Sequence, residues 1–102
     1  MVTVHIQVER ERLADICKRH HIRRLALFGS AVQGDLRPDS DVDMLVEFDP
    51  AHRPGLVAFH ELEQEFSQLF GGRKVDLINP KYLNHRLRDR ILSEAEVQFA
   101  EG

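Results

Sequence analysis

The sequence predicts an α/β domain in which a small mixed β-sheet carries helices mainly on one face. Three observations carry that expectation. Short apolar runs at 23–29, 41–48 and 74–78 have strand length, and stretches of helical period lie between and around them. Turn-forming residues bound the runs: Gly29, Asp49-Pro50, Gly71-Gly72 and Asn79-Pro80. Hydrophobic residues make up 42% of the 102 positions, enough for one packed core in a single domain spanning 1–102.

Taken in order, "VTVHIQV" (2–8) alternates apolar and polar residues and reads as a short edge strand or an extended arm. "ERERLADICKRHH" (9–21) sets Leu13, Ile16, Cys17 and His20 at helical spacing, without a strong cap at either end. "RRLALFG" (23–29) is a strand that stops at Gly29. Residues 30–40, with Gly34, Pro38 and two aspartates, read as a short helical turn and a loop. "DVDMLVEF" (41–48) is the next strand, ended by Asp49-Pro50. "PGLVAFHELEQEFSQLF" (54–70) is the longest helix, with a stripe of Phe59, Leu62, Phe66, Leu69 and Phe70, stopped by Gly71-Gly72. "KVDLI" (74–78) is a third strand. "YLNHRLRDRIL" (82–92) aligns Leu83, Leu87 and Ile91 four apart, and Arg86, Arg88 and Arg90 read as a solvated face. "EAEVQFA" (94–100) adds a short terminal strand.

The net charge of −3 supplies no general pull toward nucleic acid, and no direct nucleic-acid binding is expected. Arginine outnumbers lysine 11 to 3, which suits bidentate contacts to carboxylate or phosphate. The single cysteine, Cys17, excludes an internal disulfide framework, fits a reducing compartment and reads as core. No apolar run is long enough to span a bilayer and no signal peptide is present, so a soluble, cytoplasmic protein without membrane contact is expected. His20-His21 read as a satisfied, partly exposed pair, since no third ligand lies at suitable spacing.

The informative anomaly is "FGSAVQGDLRPDSDVDMLVEF" (28–48), where an apolar strand opens on two carboxylates. Residues two apart in a strand share a face, so Asp41 and Asp43 point the same way while Val42, Met44, Val46 and Phe48 take the helix-covered side. Asp39, Glu47 and Asp49 bring the count to five acids between 39 and 49, with no lysine or arginine among them. A cation would relieve that repulsion, and hard oxygen ligands without paired histidines or cysteines favour Mg²⁺ or Mn²⁺ over zinc. A bare Asp-x-Asp equally suits a strand cap followed by a solvated residue. Two features weigh against that reading. Gly29-Ser30 ends the preceding strand, where glycine admits close approach and the Ser30 hydroxyl and following amides favour an anion. Asp76, between core-facing Val75 and Leu77, points to the open side and could join Asp41 and Asp43, or else pair with Lys74 or Arg73. Three carboxylates beside a phosphate cradle could hold two divalent ions roughly 4 Å apart and clamp a triphosphate, with Asp76 able to accept a proton.

Gly29-Ser30, ten intervening residues, Asp41-x-Asp43 and then apolar-Asp76-apolar together resemble the signature of the DNA polymerase β-like nucleotidyltransferases. The short length and the stretches "RRLALFGSAVQGDLRPDSDVDMLVEF" and "GGRKVDLINP" are similar to the minimal nucleotidyltransferase (MNT) group, over about residues 9–98. The resemblance implies a polymerase β-like palm, Gly29 and Ser30 on the nucleotide phosphates, and Asp41, Asp43 and Asp76 as metal-binding and catalytic residues for Mg²⁺, with ATP as substrate. It further implies an antitoxin paired with a HEPN-domain ribonuclease toxin, silenced by transfer of AMP to a toxin tyrosine. Many relatives carry a basic residue where this chain has Gln33, which leaves one phosphate contact for a residue such as Arg37 to supply. The small size favours a protein acceptor, since little chain remains for an acceptor-binding domain. Neutralisation by binding alone and transfer to a small-molecule hydroxyl are the competing expectations.

Overall fold

The computed structural model describes residues 10–29, 32 and 41–101. Helix α1 (Arg10–Arg19) buries Leu13, Ile16 and Cys17 and carries Lys18 and Arg19 in its last turn, where cations favour the helix dipole. It ends two residues before the predicted boundary because His21 adopts a left-handed φ of 58°, a region that histidine tolerates better than most side chains. Strand β1 (Ile22–Phe28) follows at once. Strand β2 (Val42–Phe48) returns antiparallel to it, pairing Leu27 with Met44 and Leu25 with Val46.

Helix α2 (Leu56–Leu69) runs 14 residues. Its predicted stripe is its buried face: Leu62 and Phe66 are wholly buried, and Phe59 and Leu69 pack against the same core. Gly71 and Gly72 stop it with φ of 70° and 86°, and the Gly72 N–H donates to the Ser67 carbonyl at 2.9 Å. Strand β3 (Val75–Ile78) then joins β2 in parallel, the crossover being made by α2. On β3 the Leu77 N–H donates to Glu63 Oε2 of α2 at 3.1 Å, which satisfies an amide at the edge of the sheet.

Asn79-Pro80 ends β3 as expected, but starts a 3-10 turn (Pro80–Tyr82) in which Asn79 Oδ1 accepts from the Lys81 N–H at 3.0 Å. The last helix, α3 (His85–Glu94), therefore begins three residues later than predicted, at an Asn84 cap whose Oδ1 accepts from the Arg86 N–H at 2.9 Å. The Leu83-Leu87-Ile91 stripe does not become core: α3 buries no residue, and Leu87 is 48% exposed. Strand β4 (Glu96–Ala100) closes the far edge, antiparallel to β1.

The sheet order is β3-β2-β1-β4. Val42, Met44, Val46 and Leu25 meet α1 and α2 on one side, forming the core. This is the α/β architecture expected, a mixed sheet with helices on one face. The segment 2–8, expected as a short edge strand or an extended arm, and the segment 30–40, expected as a short helical turn and a loop, lie outside the described residues apart from residue 32. Cys17 is fully buried, and burial pushes its thiol up to about 12. His20 and Arg19 bind Glu65 of α2 at 2.8 and 3.2 Å, and His21 stacks on His52 with ring centres 3.8 Å apart. No helix among the described residues is long and apolar enough to cross a membrane.

Candidate active site

Parallel pairing sets β2 and β3 in register: Val42 lies opposite Val75, Asp43 opposite Asp76 and Met44 opposite Leu77. Val42, Met44, Val75 and Leu77 are all buried beneath the helices. Strand alternation therefore turns Asp43 and Asp76 out on the other side of the sheet, on neighbouring chains about 4.8 Å apart. Asp41, two residues before Asp43, is exposed at the mouth of β2.

On the other flank of Asp43 stands the end of β1, with Phe28 its register partner and Gly29 next in the chain. Gly29 has a φ of 70°, and a Cβ placed on it would come within 3.0 Å of Asp43 Oδ2. Glycine is required here both for its backbone angle and for the space it leaves to a carboxylate. The sequence suggested close approach at Gly29; the neighbour it admits in this structure is Asp43 itself.

Burial raises the ionisation of the Asp43 carboxyl above the ordinary range, and the charges of Asp76 and then Asp41 add to the effect. The three acids therefore act on one another. Lys74 Nζ stands 3.9 Å from Asp76 Oδ1, the ion pair weighed from the sequence. The lysine side chain is 71% exposed, so the pair is weak and does not neutralise the cluster.

Among the described residues no three His, Cys, Asp or Glu side chains are gathered into a ready metal cage. Mg²⁺ does not need one, because it keeps several waters and binds through one or two carboxylates plus substrate phosphates. The donor set on this face, all carboxylate oxygen, fits Mg²⁺ in kind. The Val32 N–H donates to the Gly29 carbonyl at 3.1 Å, closing a turn just past β1. Ser30, Gln33 and Arg37 lie outside the described residues.

Comparison with known proteins converges on one group. A family model described as a nucleotidyltransferase domain matches residues 10–97. The chain is 36% identical over 94 residues to the protein adenylyltransferase MntA of Thermococcus cleftensis, covering 92% of this chain and 85% of that protein. A solved structure assigned as a minimal nucleotidyltransferase aligns with a TM-score of 0.71 at 36% identity, over 84% of this chain and 85% of that one. The fold also matches, with a TM-score of 0.58 at 17% identity over 90% of this chain and 70% of that one, a complex of a tri-AMPylated HEPN toxin from Shewanella oneidensis with an MNT antitoxin.

Proposed function

This chain belongs to the nucleotidyltransferase-domain family, and from that premise we propose that it is a protein adenylyltransferase of the antitoxin type. It moves AMP from ATP to a tyrosine hydroxyl of a HEPN-domain toxin, with which it forms a cytoplasmic hetero-oligomer. The observation that carries the reading is the register of β2 on β3, which sets Asp43 beside Asp76 on the uncovered side of the sheet, next to Gly29. The names of the relatives support the choice of AMP and of a protein acceptor.

In this reading the tyrosine oxygen bonds to the α-phosphorus of ATP, the bond from that phosphorus to the bridging oxygen breaks, and pyrophosphate leaves. Asp41 and Asp43 would hold Mg²⁺, with Asp76 as the third carboxylate of a two-ion site. Bound Mg²⁺ supplies positive charge to the triphosphate and to the departing pyrophosphate. Asp76 would ligate the ion nearest the attacking hydroxyl or take the hydroxyl proton. Gly29 and Ser30 present backbone and hydroxyl donors to the phosphates.

The test uses ATP labelled at the α-phosphate, Mg²⁺ and the purified HEPN-domain protein proposed as the partner. Label is expected on the HEPN protein, and the Asp41→Asn/Asp43→Asn double variant should lower its rate by about a thousandfold or more, roughly 4 kcal/mol. No label with the unaltered chain overturns the assignment. The rival reading is an antitoxin that neutralises by binding alone. Full neutralisation by the double variant would establish that rival.

A further inference from the structure

Lys74 stands two residues before Asp76 and reaches the same, uncovered side of the sheet, since Val75 between them is buried beneath the helices. Its carbonyl accepts from the Val42 N–H at 2.8 Å, which ties its backbone to the mouth of β2, next to Asp41. Strand β3 is the edge of the sheet. Gly29 and Lys74 therefore flank the carboxylates from opposite sides, the first from β1 and the second from the edge.

The Lys74 ammonium is 3.9 Å from Asp76 Oδ1, close enough for attraction between charges but too far for a hydrogen bond. Among the described residues it is the only cation that pairs with any of the three acids. No hydrogen bond between described residues holds either side chain in place. The lysine carries its charge on a flexible four-carbon stem, 71% exposed, and can withdraw into solvent at little cost.

Mg²⁺ binds carboxylate oxygens at about 2.1 Å. A divalent cation on Asp76 and an ammonium held against the same carboxylate repel each other. The two are alternatives at Asp76, not joint occupants.

We propose that Lys74 is the counter-ion of Asp76 before metal binds, and that it gives up this carboxylate to Mg²⁺ as the site loads. The inference rests on the functional reading above for Asp76 as a metal ligand, and it names the residue that sets the ion concentration at which the site fills. Lys74 is thus a positioning residue: it offsets part of the repulsion among the acids, and every ion that enters must displace it.

The experiment titrates Mn²⁺, a paramagnetic substitute for Mg²⁺, into the whole chain without ATP or acceptor. Electron paramagnetic resonance counts the free ion, and label transfer is measured separately. Lys74→Met, which keeps the length and removes the charge, should lower the apparent Kd about threefold or more. Lys74→Arg should stay within about twofold of the unaltered chain. In an Asp76→Asn background, Lys74→Met should lose most of its effect, which assigns the effect to the pair. Circular dichroism establishes that each variant is folded. A Kd in Lys74→Met equal to or weaker than that of the unaltered chain overturns the proposal and leaves the functional reading standing. An equal effect in both backgrounds overturns it as well. Tighter Mn²⁺ binding by Lys74→Met, lost with Asp76→Asn, in a protein whose unaltered chain transfers no label, supports the exchange and overturns only the transfer reading. If neither the unaltered chain nor Lys74→Met binds Mn²⁺, the exchange and the metal site both fall.

Discussion

The two sides of β2 make opposite use of one heptapeptide. Val42, Met44 and Val46 are wholly excluded from solvent and lean on Leu62 and Phe66 of α2. Asp43, between them in sequence, faces the other way and meets Asp76, a group of the same charge. The covered side stabilises the fold by removing apolar surface from water. The open side destabilises it, since the Asp43 carboxyl is desolvated and repelled by its neighbours. Stability and chemistry are thus separated by the pleat of a single strand.

The strongest way to break that contrast is from the covered side. Phe66→Ala should lower unfolding free energy by about 3–5 kcal/mol in a urea titration. At the junction of the two sides, Gly29→Ala should cost roughly 1–2 kcal/mol for its left-handed backbone. The same variant should also depress label transfer, because the new methyl displaces the Asp43 carboxylate. Wild-type transfer in Gly29→Ala would argue that the Asp43 position is not needed.

The open side predicts the reverse sign. Asp43 ionises at a higher pH in the folded chain than in the unfolded one, so the folded state holds the extra proton between those values. Stability should fall as pH rises from the ordinary carboxylate range through the folded Asp43 value, then level off. Asp43→Asn should remove that fall and melt above the wild type at neutral pH, by less than about 1 kcal/mol given solvent screening. Added Mg²⁺ should raise the melting temperature of the wild type at neutral pH but not that of Asp43→Asn.

The smallest effect lies between the helices of the covered layer. Burial pushes the Glu65 carboxyl up, but hydrogen bonds from His20 and Arg19 outweigh it and hold the group below its ordinary range. The stability this supplies is present above the ordinary carboxylate range and is lost as pH falls through the depressed value. Glu65→Gln should cost roughly 0.5 kcal/mol at neutral pH, the pair being partly exposed, and should flatten the acid limb of the stability profile.

What the sequence made legible was local. Gly29, Gly71-Gly72 and Asn79-Pro80 mark chain stops because backbone angles or missing amides are properties of single residues. The period-two pattern of 42–48 and the spacing of Leu62 and Phe66 gave the buried faces for the same reason. The spacing of Leu83, Leu87 and Ile91 did not say whether that stripe is covered, because a stripe becomes core only where another element packs on it. The start of α3 was displaced by two asparagine caps competing over six residues. Long-range partners were not legible: β4 on β1, Glu65 on His20 and the Gly29–Asp43 approach all depend on tertiary placement. Within the candidate site, the alternation that sends Asp43 and Asp76 to one side could be read, whereas their direct opposition required the β2–β3 register.

Cys17 has a practical consequence. It is the chain's single sulfhydryl, enclosed under α1 and held far from its thiolate form. Thiol-directed reagents will not reach it until that helix lifts from the sheet. The natural chain therefore carries its own sentinel for transient opening, and its modification kinetics count those excursions without any introduced probe.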